Sequence, residues 1–162
     1  FNVIKSMGVE VGILSESFEG GECVSDISIK NKKLKSISIE KSKIPSLIDE
    51  IPILAVIATQ AEGKTIIRGA EELRVKESDR ISATVDSLQR LGAQIEETSD
   101  GMRITGTHTL TGAEVETHGD HRIAMTNGIA GLLASGETII GNSEDASVSY
   151  PSFWEVVSEL QK

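Results

Sequence analysis

The sequence predicts a mixed fold of α-helices and β-strands (α+β, or mixed α/β) built from a repeated unit. Three observations support this prediction. Amphipathic segments with a helical period alternate with short β-branched runs bounded by Gly, Asp or Asn. Two other segments are apolar all round, which is typical of helices buried inside a domain. Several segments also recur along the chain at offsets of 72 to 84 residues.

The repeat is visible in three pairs of segments. FNVIKSMGVEV aligns with VDSLQRLGAQI, and in both a helix tail meets a glycine, Gly8 or Gly92, before a strand begins. AEGKTIIRGAEE aligns with ASGETIIGNSED, and RISATVDSLQR with SFWEVVSELQK. We therefore expect βαβαββ-like units, approximately at 1–45 (truncated), 46–115 (complete) and 116–162 (terminal).

Two kinds of helix are expected. PILAVIATQA and HRIAMTNGIAGLLAS carry almost no charge and should lie buried, with Pro52 in the first turn of one and Asp120 as the N-cap candidate of the other. The amphipathic helices each carry an apolar stripe at helical spacing. These stripes are Ile81, Val85, Leu88 and Leu91 in one helix and Phe153, Val157 and Leu160 in the other.

The runs KTIIRG, AQIEET, GMRITG and ETIIGN are predicted strands. Two hairpins are also predicted, one turning at Gly20-Gly21 and the other at Asn31-Lys32, where CVSDISIKNKKLKSISIEK alternates on both sides of the turn. These antiparallel pairs predict mixed sheets, which we expect to lie outside the buried helices.

Composition narrows the classes of function. Aromatic residues make up only 3% of the 162 residues, so the core must be aliphatic. The formal net charge of -9 argues against general binding to nucleic acid or to an acidic membrane. The single Cys23 excludes an internal disulfide, and a cytoplasmic setting is expected. Because the chain opens at Phe1 in mid-pattern, we interpret it as cut from a longer protein.

The run RVKESDRISA predicts an anion-binding helix start. If the helix begins near Ser78, then Lys76, Glu77 and Arg80 lie in its approach and first turn, where free backbone N–H groups favour anions. Glu77 and Arg80 are three residues apart and could face one ligand. The alternative is a solvated helix start, with Ser78 as cap and ion pairs within the helix; composition alone favours this alternative, and the spacing does not decide between the two.

Two further charged segments precede the apolar helices. Asp120, His121 and Arg122 precede one, and Asp49 and Glu50 precede the other. The alternative is that the aspartates only cap their helices and that Arg122 pairs with a nearby carboxylate. If the three segments converge, they would form one site for an anionic small molecule.

The motifs LRVKESDRI, THGDHRIAM, LIDEIPILAVIATQAEG and VSYPSFW resemble the C-terminal part of the 3-phosphoshikimate 1-carboxyvinyltransferases (EPSP synthases) of the enolpyruvyl transferase family. The resemblance covers essentially all of residues 1–162. It implies an enolpyruvyl transferase fold, here an incomplete domain, and an active site in the cleft facing a partner N-terminal domain absent from this chain. No cofactor or metal is implied.

The resemblance also implies the reaction. The carboxyvinyl group of phosphoenolpyruvate is transferred to the 5-hydroxyl of shikimate-3-phosphate, and phosphate is released. Arg80 and Arg122 would bind phosphoenolpyruvate, while Asp49 and Lys76 would bind shikimate-3-phosphate. Asp49 and Glu77 would be the catalytic residues, and His121 would act in positioning.

One position departs from the pattern. Ser149, two residues before the proline of the last motif, replaces a lysine that many relatives use for phosphoenolpyruvate. Without the partner domain the chain should turn over little or no substrate. The alternatives are a UDP-N-acetylglucosamine 1-carboxyvinyltransferase, a non-catalytic structural or interaction domain and, ranked last, a nucleotide-binding module.

Overall fold

The structure is a computed structural model that describes residues 1–30 and 32–161. It contains α-helices and β-strands in mixed order, as predicted. Short 3₁₀ turns at Lys41–Ser46, Ile48–Glu50, Glu71–Val75 and Ser143–Val148 precede three of the helices. The helices are α1 (Asn2–Ser6), α2 (Ile51–Thr59), α3 (Arg80–Arg90), α4 (His121–Leu133) and α5 (Phe153–Leu160). The strands are β1 (Glu10–Glu19), β2 (Glu22–Lys30), β3 (Ser38–Ile39), β4 (Lys64–Ile67), β5 (Gln94–Thr98), β6 (Gly101–Thr105), β7 (Glu114–Glu116) and β8 (Ile139–Gly141).

The strands form three sheets. Four of them follow the order β3-β4-β6-β5, in which β3 and β4 are parallel and the other pairs antiparallel. β7 and β8 form a parallel pair, and β1 and β2 form an antiparallel hairpin. Parallel and antiparallel pairs thus occur together, which confirms the expectation of mixed sheets.

The internal repeat appears as two equivalent crossovers. β3 leads through α2 to the parallel strand β4, and β7 leads through α4 to the parallel strand β8. A single parallel bridge extends each pair, Lys35 with Glu62 and Thr111 with Ser135. Parallel neighbours require such a crossover, and in both copies an apolar helix supplies it.

Of the two apolar helices, α2 lies in the core as predicted, whereas α4 is only partly buried, with six of its 13 residues buried and Leu133 46% exposed. Seven of the nine residues of α2 are buried, and α2 packs against α3 and α4. The predicted stripe of α3 is buried in full, with Leu88 and Leu91 completely inaccessible. Removing the buried Leu88 side chain would cost about 2–5 kcal/mol, because a cavity would remain. Ile95, Met102 and Ile104 of the four-stranded sheet close the same core.

The second predicted hairpin is wrong. After β2 the chain joins the four-stranded sheet, where β3 pairs in parallel with β4 and not with β2. Asn31 lies outside the described residues. Alternation of apolar and polar side chains predicts a strand but does not identify its partner, and here the partner is reached through α2. The first hairpin is confirmed, since Glu19 pairs with Glu22 and both intervening glycines have positive φ.

Two helix predictions need correction. The helix expected to begin near Ser78 begins at Arg80, because the Asp79 carboxylate accepts a hydrogen bond from the Ser82 amide and caps it. In α5, Phe153 and Val157 are buried, but Leu160 is 67% exposed, so the packed part of the stripe ends at Val157. Among the described residues, no helix has the length and apolar character required to cross a membrane.

Candidate active site

The N-terminal ends of α2, α3 and α4 bring charged residues from three parts of the chain together. Asp49 lies in the 3₁₀ turn before α2, Arg80 is the first residue of α3, and Asp120 is the N-cap of α4. The three helices pack against one another, so their first turns meet at one place. Because helix N-termini carry unpaired N–H groups and a partial positive charge, this place favours anions.

Arg80 is the centre of this cluster and is only 2% exposed. Its Nε donates to Asp120 Oδ2 at 2.8 Å and its Nη1 donates to Asp49 Oδ1 at 3.0 Å. Its Nη2 donates to Glu77 Oε2 at 2.7 Å and to Asp120 Oδ1 at 3.3 Å. Three carboxylates therefore surround one guanidinium, which presents five N–H donors in a fixed fork.

Asp120 is completely buried and also organises the start of α4. Its Oδ1 accepts the Arg122 amide at 2.8 Å, and its Oδ2 accepts the Ser78 hydroxyl at 3.0 Å. Burial alone would raise the pKa of Asp120, but hydrogen bonds from Arg80 and the Arg122 amide outweigh it, and the pKa lies below the usual value. Asp120 is therefore held as a carboxylate.

The same balance applies to Arg80. Burial would lower the pKa of its guanidinium, but hydrogen bonding to Asp120 and the charges of Glu77 and Asp49 raise that pKa. A buried charge is tolerated when it is paired and hydrogen-bonded, and this guanidinium is both. Arg80 is thus a permanent buried cation.

Arg122 is held much more loosely. Its Nη2 lies 3.5 Å from Asp49 Oδ2, and its Nη1 lies 3.4 Å from the Asp49 carbonyl oxygen and 3.8 Å from Glu50 Oε1. None of these contacts is short, and the side chain is 34% exposed. The Arg122 guanidinium can therefore exchange its present partners for an anion with little loss.

Asp49 bridges the two arginines, since one of its carboxylate oxygens faces Arg80 and the other faces Arg122. Its side chain is 44% exposed, and that of Glu77 is 51% exposed. Both carboxylates can therefore reach solvent or a ligand, whereas Asp120 cannot. The cluster has a fixed part, Arg80 with Asp120, and an accessible part, Asp49, Glu77 and Arg122.

The remaining predicted residues are Lys76, His121 and Ser149, and their side chains lie outside this network. Lys76 Nζ contacts Glu72 Oε1 at 3.0 Å, and among the described residues its ammonium makes no ion pair with the cluster. His121 is the half-buried first residue of α4. Ser149 is exposed at the end of the Ser143–Val148 turn.

Sequence reasoning considered Asp120 only as a helix cap and missed its role as the buried partner of Arg80. It also missed Arg74, whose guanidinium donates to Asp79 Oδ2 at 2.8 Å and to the Thr98 carbonyl oxygen at 2.7 Å. Arg74 thereby holds the N-cap of α3 against β5. The available signal was the position of Arg74 five residues before Asp79, in the same charged run.

A cavity of about 220 Å³ adjoins the accessible part of the cluster. Asp49 and Arg122 form its polar side, and its other walls are mainly apolar: Ile53, Met125, Thr126, Ile129 and Phe153. A larger cavity of about 490 Å³ lies between α1 and the 37–47 segment and is lined by none of the cluster residues. Within the described ranges, no group of His, Cys, Asp and Glu side chains is arranged to hold a metal ion.

Known proteins with similar sequences point to one family. A sequence profile described as EPSP synthase (3-phosphoshikimate 1-carboxyvinyltransferase) matches residues 1–157. A relative from Roseiflexus castenholzii named 3-phosphoshikimate 1-carboxyvinyltransferase is 48% identical over 161 residues, which is 99% of this chain and 37% of that protein. One of the same name from Alkaliphilus oremlandii is 50% identical over 161 residues, or 99% of this chain and 38% of that protein.

Solved structures agree with this result. An EPSP synthase from Acinetobacter baumannii superposes with a TM-score of 0.91 at 40% identity, covering 98% of this chain and 37% of that one. The enolpyruvyl transferase NikO from Streptomyces tendae superposes with a TM-score of 0.71 at 22% identity over 99% of this chain and 34% of that one, and so shares the fold. The chain spans somewhat over a third of the length of these proteins. From its sequence and its fold, the chain belongs to the EPSP synthase family.

Proposed function

We propose that this chain is the C-terminal part of an enzyme that transfers the carboxyvinyl group of phosphoenolpyruvate to the 5-hydroxyl of shikimate-3-phosphate and releases phosphate. The observation that carries the proposal is the meeting of Asp49, Glu77, Arg80 and Arg122 at three helix N-termini. In a chain of the EPSP synthase family, this meeting supplies both cations for an anionic substrate and carboxylates for proton transfer.

The two arginines bind phosphoenolpyruvate in this proposal. Arg122 offers the more accessible guanidinium, and a guanidinium matches carboxylate or phosphate oxygens with paired hydrogen bonds. Arg80 takes part once Asp49 or Glu77 turns toward the substrates, since both side chains are about half exposed. Asp120 keeps Arg80 in place during this exchange because it is completely buried.

The carboxylates move the protons. Asp49 accepts the proton of the 5-hydroxyl while the oxygen of that hydroxyl bonds to C2 of phosphoenolpyruvate. Glu77 gives a proton to the methylene carbon C3. Glu77 then takes a proton back from C3 while the C2–O bond to phosphate breaks, so the double bond re-forms. Asp49 returns the proton of the 5-hydroxyl to the departing phosphate, which leaves as hydrogen phosphate. Lys76 binds the phosphate of shikimate-3-phosphate, and His121 positions the substrates.

The proposal includes the rest of the enzyme. An N-terminal domain would close the cleft, and this chain would contribute a truncated unit (1–45), a complete unit (46–115) and a terminal unit (116–162). The working compartment would be the cytoplasm, with no cofactor, nucleic acid or membrane as partner.

A chimeric enzyme tests the proposed function. This chain replaces the matching segment of the Alkaliphilus oremlandii relative, and phosphate release is measured with phosphoenolpyruvate and either shikimate-3-phosphate or UDP-N-acetylglucosamine. We expect release with shikimate-3-phosphate only. Release with the nucleotide sugar would favour the sister reaction, and a folded chimera that releases no phosphate with either acceptor would favour a non-catalytic domain.

A binding measurement complements the assay. Phosphoenolpyruvate is titrated into the 162-residue chain and into each variant, and the backbone amide resonances of the first turn of α4 are followed by NMR. We expect weak binding that Arg122→Gln abolishes and that Arg90→Gln, at the exposed far end of α3, leaves unchanged. Binding that is equal in both variants would contradict the proposed role of Arg122.

A further inference from the structure

A partly buried hydrogen bond joins two segments beside the cluster. Thr117 lies in the turn between β7 and α4 and is completely buried. Its hydroxyl donates to Asp145 Oδ2 at 2.5 Å, and Asp145 belongs to the Ser143–Val148 turn. A hydroxyl that donates to a carboxylate forms a charge-assisted hydrogen bond, which is stronger than one between neutral groups. It therefore fixes the start of the β7–α4 connection against the segment that follows β8.

Thr117 is also the first residue of a rigid turn that ends at Asp120. The Asp120 amide donates to the Thr117 carbonyl oxygen at 3.0 Å. The two central residues, His118 and Gly119, have φ angles of 56° and 72°. Positive φ at both central positions, with this hydrogen bond, identifies a type I′ turn. Because such a turn has few internal degrees of freedom, a displacement of Thr117 displaces Asp120.

The position of the Asp120 carboxylate determines the orientation of Arg80. Both oxygens of the buried Asp120 carboxylate accept hydrogen bonds from Arg80, so the plane of the guanidinium follows the carboxylate. A binding group must be held within roughly 0.5 Å of its productive position. The path from Asp145 through Thr117 and Asp120 to Arg80 therefore consists of short hydrogen bonds and one tight turn.

The other crossover contains a comparable contact between the segments that follow its two strands. Lys41, just after β3, contacts Glu71, which follows β4, through Nζ and Oε1 at 2.5 Å. That ion pair is exposed, with 76% of the Lys41 side chain and 50% of the Glu71 side chain accessible. In the crossover that carries Asp120, the corresponding contact is the hydrogen bond from the fully buried Thr117 to Asp145. The contact with a fully buried member therefore lies in the crossover that positions Asp120, the carboxylate bound to Arg80.

We propose that Thr117 and Asp145 are positioning residues for the Asp120–Arg80 pair, and that their hydrogen bond sets the affinity of the site for phosphoenolpyruvate. The kinetic consequence rests on the proposed function. The structural consequence concerns only the environment of the Arg80 guanidinium and is measured without turnover.

Kinetics of the chimeric enzyme test the first consequence. Thr117→Val removes the hydroxyl at almost constant volume, and Thr117→Ser retains it. We expect Thr117→Val to raise KM for phosphoenolpyruvate about tenfold, which corresponds to about 1.4 kcal/mol, with KM for shikimate-3-phosphate changed by less than about twofold. Thr117→Ser should restore KM to within about threefold of the original value.

Thr59→Val is the matched control. Thr59 is also completely buried, but its hydroxyl donates to the Val56 carbonyl oxygen within its own helix. Both valine variants should lower Tm, and only Thr117→Val should raise KM for phosphoenolpyruvate. If Thr117→Val lowers Tm and leaves that KM unchanged, its role is merely structural and the proposal is overturned.

Hydrogen exchange of the Arg80 Nε–H group, followed by NMR in isotope-labelled protein, tests the second consequence. We expect exchange about tenfold faster in Thr117→Val, as for a loss of about 1.4 kcal/mol of protection, and near the original rate in Thr117→Ser and Thr59→Val. Asp145→Asn, which keeps an acceptor oxygen, should act in the same direction with a smaller effect. If the unsubstituted chimera is inactive, the proposed function fails, but the exchange rate still decides whether Thr117 positions Arg80.

Discussion

Arg80 and Asp120 are separated by forty residues in the chain, yet two hydrogen bonds of 2.8 and 3.3 Å join them in the interior. Arg80 begins α3 and Asp120 caps α4, so the pair ties together the starts of two helices. Asp49 and Glu77, which contact the same guanidinium, remain about half exposed. The pair therefore fixes the position of the guanidinium that the accessible residues Asp49 and Glu77 contact.

Loss of Asp120 should destabilise the protein strongly. Asp120→Ala leaves the Arg80 cation buried without its main partner, and removal of one member of a buried pair costs about 3–5 kcal/mol. Urea denaturation should show this decrease in the free energy of unfolding. The control is Asp86→Ala, which removes an exposed pair with Arg90 and should cost less than about 1 kcal/mol. Similar losses in the two variants would contradict the central role of the Asp120–Arg80 pair.

The same pair should make stability depend on acid pH. Because the pKa of Asp120 is lower in the folded protein than in the unfolded chain, its stabilisation is fully present above the unfolded value of about 3.9 and is lost as pH falls through the folded pKa. Urea denaturation from pH 7 to pH 3 should show a fall below about pH 4 that is shallower in Asp120→Asn. Identical slopes in the two proteins would show that the Asp120 carboxylate is not stabilised by folding.

Arg122 should matter for binding and little for stability. Its contacts are 3.4 Å or longer and the side chain is 34% exposed, so Arg122→Gln should change the free energy of unfolding by less than about 1 kcal/mol. In the chimeric enzyme the same substitution should raise KM for phosphoenolpyruvate at least about tenfold, since a charged hydrogen-bonding partner is lost. A large loss of stability without a change in KM would reverse this assignment.

Glu77 should matter for turnover. Glu77→Gln keeps the shape of the side chain but cannot exchange a proton with the methylene carbon, so kcat should fall by about 10²- to 10⁴-fold. The side chain is 51% exposed, and Tm should change little. Steady-state kinetics and thermal denaturation of the same preparation separate the two effects. Unchanged turnover would exclude Glu77 as the proton donor.

The type I′ turn before α4 predicts opposite effects at its two central residues. His118 has a φ of 56°, a region in which the short asparagine side chain can hydrogen-bond to its own backbone, so His118→Asn should stabilise the protein by up to about 1 kcal/mol. Gly119 has a φ of 72°, and a Cβ there would meet no atom within 4 Å. Gly119→Ala should therefore cost only the backbone strain, about 1–2 kcal/mol. Denaturation curves should show a higher free energy of unfolding for His118→Asn and a lower one for Gly119→Ala.

Much of the secondary structure was predictable because it depends on neighbours in the chain. The spacing of Ile81, Val85, Leu88 and Leu91 defines the buried face of α3 regardless of what covers it. Asp120 caps α4 through an amide only two residues away. The strands on either side of Gly20-Gly21 pair because a two-residue turn brings them together.

Partners distant in the chain were less predictable. The alternating pattern of the segment ending at β3 is the same whether it pairs with β2 or with β4, so the pattern alone cannot identify β4 as its partner. The sequence predicts that Arg80 faces a ligand and does not indicate Asp120 as its partner, since a capping aspartate satisfies the start of its own helix without further contacts.

By itself, then, the sequence determined the helices, their caps, the turn glycines, the repeat and the family. Only the tertiary structure decided that Asp120 holds Arg80, that Asp49 bridges two arginines and that Arg122 is the accessible cation. The physical reason is the distance along the chain over which each kind of interaction acts. Caps and periodicity arise from interactions within about one helical turn, whereas the partner of a buried charge depends on which helices pack together and exclude water around it.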